Sequence, residues 1–168
     1  WSGGDSRKAR NVGAREIDQL VSEHDFAPGE KLNIVGYSHG GNVGIRYSQI
    51  GDRKIDNLVT LGTPVRSDYK PNYNMIGTHY NAYSADDPVQ RIGGGATSIS
   101  QLAGWSLFGP VGFVAGGLMN WGEFGPANRT YSGAINIDVT SQAGEKGIHS
   151  SFWKNPVIWG SVSDTINP

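Results

Sequence analysis

Apolar positions in this chain fall first at helical and then at strand spacing. Ala9, Val12, Gly13, Ile17, Leu20 and Val21 recur at three- and four-residue steps, with Arg7, Lys8, Arg15 and Glu16 off that face. The spacing predicts an amphipathic helix, preceded by a loop at Trp1–Gly4 and capped by Asp5 or Ser6. A turn signal, Pro28-Gly29, separates it from Leu32, Ile34 and Val35, an apolar run suited to a buried parallel strand. The stretch from Ser38 to Ile50 is helix-compatible, with Val43, Ile45 and Ile50 available to pack on a sheet, and Gly51-Asp52 ends it. Ile55 to Leu61 reads as the next strand, closed by Gly62-Thr63-Pro64; another runs from about His79 to Ser84, and Ile135 to Val139 alternates as a further one. A loop from Ser141 to Gly147 leads to His149, and Phe152, Trp153, Val157, Ile158 and Trp159 predict a closing helix. Strand and helix in alternation predict an α/β fold with a mostly parallel sheet flanked by helices.

Composition narrows the class. A chain of 168 residues is expected to form one domain with a sizeable core. Lys and Arg total 14 against 15 Asp and Glu, for a net charge of −1 without a basic run, so nucleic acid is not expected as a partner. With no cysteine, disulfides and thiolate metal sites are excluded. No metal or organic cofactor is implied. The stretch from Ile92 to Gly122 carries no charge and scatters Trp105, Phe108, Phe113, Leu118, Met119 and Trp121 among glycines. Those glycines and Pro110 argue against a membrane-spanning helix. An apolar lid or lipid-contacting insertion is favoured over plain core packing, with contact to a membrane surface through residues 92–122 as its consequence.

Chemistry concentrates where the first strand breaks. Gly36-Tyr37-Ser38-His39-Gly40-Gly41 contains a Gly-x-Ser-x-Gly between a predicted strand and a predicted helix. A sharp strand-to-helix turn can hold a serine with its hydroxyl clear of the sheet, and small residues on either side let the two elements close on each other. With 25 glycines in the chain, chance alone yields roughly a third of one bare match, so the strand and helix around the motif give it its weight.

Gly36-Tyr37-Ser38-His39-Gly40-Gly41, Leu58-Val59-Thr60-Leu61-Gly62-Thr63-Pro64, Ser84-Ala85-Asp86-Asp87-Pro88-Val89 and Gly147-Ile148-His149-Ser150 together resemble the α/β-hydrolase superfamily, in particular its lipase-like branch. The order serine, acid, histidine is that family's. The opening Trp1–Ser6 and the helix after it also look like lipase-like domains at the ends of bacterial polymorphic toxins. The resemblance implies Ser38 as nucleophile and His149 as base, chosen over His24, His39 and His79. Asp87 is favoured as the orienting acid because family acids commonly precede a short hydrophobic pair; Asp86 is its close competitor and Asp138 a distant one. The backbone N–H of His39 is the implied first oxyanion donor. In the family the second comes from a loop after an earlier strand, so the N-terminal strands are expected upstream of Trp1 and the chain reads as the C-terminal part of a longer protein. The implied activity is hydrolysis of a lipid or other acyl ester, in a secreted or delivered bacterial effector whose partners would include an upstream polypeptide or an immunity protein. Acyl transfer to an alcohol, or a non-catalytic lipid- or partner-binding module on the same fold, are the alternatives.

Overall fold

The computed structural model describes residues 6–66, 70–88, 90, 128–143 and 148–166. The expected lid at 92–122, the opening loop and Asp5 lie outside the described residues. Ser6 caps α1 (Arg7–Glu23), its Oγ accepting the Ala9 N–H at 3.1 Å. There follow β1 (Asn33–Tyr37), α2 (His39–Ile50), β2 (Ile55–Leu61), β3 (Ile76–Tyr83), β4 (Ile135–Asp138), α3 (Thr140–Ala143), α4 (Ile148–Lys154) and α5 (Pro156–Ile166).

Among the described residues the sheet has four strands in the order β1-β2-β3-β4, and each neighbouring pair is parallel. Tyr37 stands beside Leu61 and Leu61 beside Ala82, so the carboxyl ends of the first three strands line one edge. Side-chain alternation then splits the apolar residues between two cores. Ile34 and Leu58 meet Val43, Ile45 and Tyr47 of α2 and Ala14 of α1 on one face. Val59, Leu61, Tyr80 and Ala82 meet Val139, Ala143, Phe152, Ile158 and Val162 on the other. The sheet is thus flanked by helices on both faces, and each fully buried aliphatic or aromatic side chain stabilises it by about 1.5–3 kcal/mol.

Several sequence expectations need correction, among them the burial of the first strand, where Val35 is 54% exposed. First, α1 is turned slightly from its expected face: Gly13 is buried and Ile17 and Val21 pack on the core as expected, but Arg10 and Ala14 are buried beside them while Val12 is 44% and Leu20 67% exposed. The helix lies against α2 through its small residues, and polar contacts fix the phase: Arg46 Nε donates to Asn11 Oδ1 at 2.7 Å and the Asp52 N–H to Asp18 Oδ1 at 3.2 Å. Second, β3 begins at Ile76, not His79, because the Ile55 N–H pairs with the Met75 carbonyl at 2.9 Å and Ile76 is buried. Third, the closing helix is two helices. Pro156 starts α5, where its missing N–H costs nothing, and Asn155 Oδ1 accepts the Val157 N–H at 2.9 Å. Of the five apolar residues expected there, Phe152 and Ile158 are buried while Trp153, Val157 and Trp159 are exposed. Thr140–Ala143, expected within a loop from Ser141, is a single helical turn. No helix among the described residues is long and apolar enough to cross a membrane.

Candidate active site

Ser38 stands alone between the last residue of β1 and the first of α2, with φ 53° and ψ −123°. It is the one non-glycine residue at positive φ among the described residues. Such a conformation costs on the order of 1–3 kcal/mol and persists where its surroundings over-determine it. Here they do: the Ser38 N–H donates to the Leu61 carbonyl at 2.9 Å, and the Ser38 carbonyl accepts the Gly41 N–H at 3.1 Å. Small residues make the turn possible, although not at both motif glycines. A Cβ on Gly36 would lie 2.4 Å from Gly41 N, and one on Gly41 would lie 2.0 Å from Thr63 Oγ1, whereas one on Gly40 would meet nothing within 4 Å. The close approach therefore rests on Gly36 and Gly41.

A serine at this position ordinarily caps its helix, but the Ser38 side chain makes no such bond. Its Oγ lies instead 2.9 Å from His149 Nε2, on the second residue of α4. His149 Nδ1 lies 2.7 Å from Asp87 Oδ2. The Asp87 carboxylate is fully buried and can only accept, so it fixes the proton on Nδ1 and leaves the Nε2 lone pair toward the serine hydroxyl.

Asp87 sits in the turn after β3, and four contacts shape that turn. The Asp87 N–H donates to the Ser84 carbonyl at 3.3 Å and the Asp86 N–H to Ser84 Oγ at 3.3 Å. Ser84 N–H donates to Gln90 Oε1 at 3.0 Å, and Ala85 N–H to Thr140 Oγ1 at 2.7 Å. Gln90, fully buried, also donates from Nε2 to the Thr63 carbonyl at 3.3 Å, joining the Asp87 turn to the loop after β2.

The competing residues are engaged elsewhere. Asp86 is exposed. Asp138 closes β4 and its carboxyl is held below the ordinary range, chiefly by the Thr140 hydroxyl and N–H. His24 is exposed and pairs with Glu30 at 2.8 Å. His79 is buried in a polar network. There the Thr60 hydroxyl donates to Asn81 Oδ1 at 2.9 Å, so His79 Nε2, 2.9 Å from Thr60 Oγ1, is the donor of that pair. His79 Nδ1 then accepts from the Tyr73 hydroxyl at 3.3 Å, and burial pushes the imidazole's pKa down to about 4. His39 opens α2 directly after Ser38, where the positive end of the helix macrodipole lies.

Sequence reasoning missed Gln90 and Tyr37. The Tyr37 hydroxyl donates to the main-chain carbonyl of His149 at 2.9 Å, and its ring centroid lies 5.0 Å from the imidazole. No periodicity flags a buried glutamine three residues past the acid. Tyr37 does occupy the variable position before the serine.

With this geometry in place, comparison with known proteins adds a distant relation. The chain is 30% identical over 77 residues to the poly(3-hydroxyalkanoate) polymerase subunit PhaC of Thiocystis violacea. That match covers 46% of this chain and only 20% of the polymerase subunit's length. No family model matches the chain, and no solved structure matches it. Nothing in that similarity bears on a toxin.

Proposed function

We propose that the chain is a serine hydrolase of carboxylic esters, built on an α/β-hydrolase-like fold, with Ser38 as nucleophile, His149 as general base and acid, and Asp87 as the orienting carboxylate. The observation that carries this reading is the unbroken series from Ser38 Oγ to His149 Nε2 at 2.9 Å and from Nδ1 to the buried Asp87 at 2.7 Å. A serine hydroxyl becomes a competent nucleophile when a neutral imidazole takes its proton. Ser38 Oγ attacks the ester carbonyl carbon while its proton passes to His149 Nε2, and Asp87 stabilises the imidazolium. Collapse of the tetrahedral intermediate returns the Nε2 proton to the leaving alcohol and leaves an acyl-enzyme. Water, deprotonated by the same imidazole, then releases the acid and restores the serine. The His39 N–H, at the N-terminus of α2, is the proposed first oxyanion donor. A lipid or other acyl ester is the proposed substrate class, on the strength of the apolar sequence at 92–122.

Acyl transfer is the second reading, favoured by the similarity to a polymerase subunit. Poly(3-hydroxyalkanoate) is a polyester, so its polymerase forms ester bonds, and an alcohol would replace water in the second half-reaction.

A fluorophosphonate probe tests the proposal. Mass spectrometry should locate the label on Ser38, and hydrolysis of p-nitrophenyl esters should vanish with it. Folded protein that takes no label would point to a binding module. Labelled protein that passes its acyl group to added alcohol in preference to water would point to a transferase.

A further inference from the structure

Two groups hold His149, one on its ring and one on its main chain. Asp87 binds Nδ1. A ring held at Nδ1 alone can pivot about that bond and swing Nε2 away from the serine. The second hold comes from Tyr37, the residue directly before Ser38. Its hydroxyl reaches across 112 positions of sequence to the His149 carbonyl at 2.9 Å. Its ring stands against the imidazole at 5.0 Å with 36° between the planes, and against Trp153 of the same helix at 6.5 Å. The residue that ends β1 therefore spans from the nucleophile's own turn to the helix that carries the base.

We propose that Tyr37 is a positioning residue, which fixes the backbone and ring plane of His149 so that Nε2 meets Ser38 Oγ. This rests on the reading of His149 as the base. Because Tyr37 and Ser38 are consecutive, the nucleophile and the anchor of its base move together, and a shift of β1 carries both. The hydroxyl can serve as a donor across the whole working pH range, since burial, and then the nearby Asp87 charge, push its pKa up to about 12. A misplacement of about 1 Å at a reacting pair can cost on the order of 100-fold in rate. Tyr37 guards against a displacement of that kind.

Tyr37→Phe deletes one oxygen and keeps the ring. On a short-chain p-nitrophenyl ester, well below the melting temperature, kcat per folded molecule should fall roughly tenfold with KM within about twofold of wild type. The fluorophosphonate labelling rate at Ser38 should fall in parallel. The low-field proton resonance of the His149–Asp87 pair, expected in the wild type, should broaden in the variant. In an Asp87→Asn background the Tyr37→Phe effect should shrink, because both act through one imidazole. A variant that merely unfolds more easily, with wild-type kcat, labelling rate and proton resonance at that temperature, overturns the proposal and leaves the hydrolase reading standing. Wild-type protein that never labels at Ser38 overturns both.

Discussion

At the scale of single residues, Ser38 joins a strained backbone to the proposed nucleophile, and the two can be separated by substitution. Ser38→Ala keeps a β-carbon at φ 53°, whereas Ser38→Gly removes it. Both should abolish ester hydrolysis, a loss on the order of 10⁶-fold if the triad assignment holds. Relief of the positive φ offsets glycine's entropic penalty, so the glycine variant should be the more stable by about 1 kcal/mol in urea denaturation. Equal stability would mean that the turn carries no strain. The acid offers a sharper contrast. Asp87 is buried on the imidazole and its neighbour Asp86 is exposed, so Asp87→Asn should lower kcat by about 10⁴-fold by favouring the wrong tautomer, and Asp86→Asn by less than about tenfold. The reverse pattern in measured kcat would move the assignment to Asp86. The choice between these adjacent carboxylates was narrowed in the sequence by Pro88-Val89, but the deciding fact, which side chain turns inward, is set by the Ser84, Gln90 and Thr140 contacts around the turn. None of those contacts has a sequence period.

Among the elements, β2 and β3 share a buried polar band, extended at its rim by the exposed Asn136 of β4, where their sequences promise only strands. Thr60, His79, Asn81 and Asn136 face each other across three strands, with Asn81 Nδ2 donating to Asn136 Oδ1 at 2.9 Å and to the Arg129 carbonyl at 2.8 Å. This band also explains why β3 extends beyond its apolar pattern: Ile76-Gly77-Thr78-His79 holds a single large apolar residue, and its partners compensate by hydrogen bonding. A pH dependence follows. The His79 pKa is pushed down from 6.5 to about 4 by burial, so between those values the unfolded chain binds a proton that the folded chain refuses. The network's full contribution is present above pH 6.5 and is lost as pH falls toward 4, by up to about 3 kcal/mol. Urea melts of His79→Gln should show a shallower fall over that window than wild type; parallel curves would mean that His79 is already solvated. Helix α1 shows the complementary limit of periodicity, which found the helix and placed Gly13, Ile17 and Val21 inward, but not the edges of the face, where Val12 and Leu20 are exposed and Arg10 and Ala14 are buried.

Over the whole molecule, the site joins residues separated by 111 and 62 positions at the carboxyl edge of the sheet, where parallel α/β folds place their ligands. The order of motifs along the chain made that convergence legible, since each candidate follows a predicted strand or loop. What the order could not supply is how His149 reaches the edge. Ser38 and Asp87 follow strands, but His149 rides on α4, which is seven residues long. Phe152, one turn beyond His149, is fully buried among Val59, Leu61, Ala82, Ile158 and Val162. It lies so close to Gly62 that a Cβ there would be 2.8 Å from its ring. Phe152 thus couples His149, the proposed base, to the core, and in the wild type Ser38 labelling should disappear together with the far-UV signal as urea is raised. Phe152→Ala should remove about 3–5 kcal/mol of stability, some of it by loosening α4 alone. In that variant Ser38 reactivity should be lost at a lower urea concentration than the sheet's far-UV signal. If the two transitions stay superimposed, α4 folds and unfolds with the sheet as one unit, and the base is held by more of the fold than this ring.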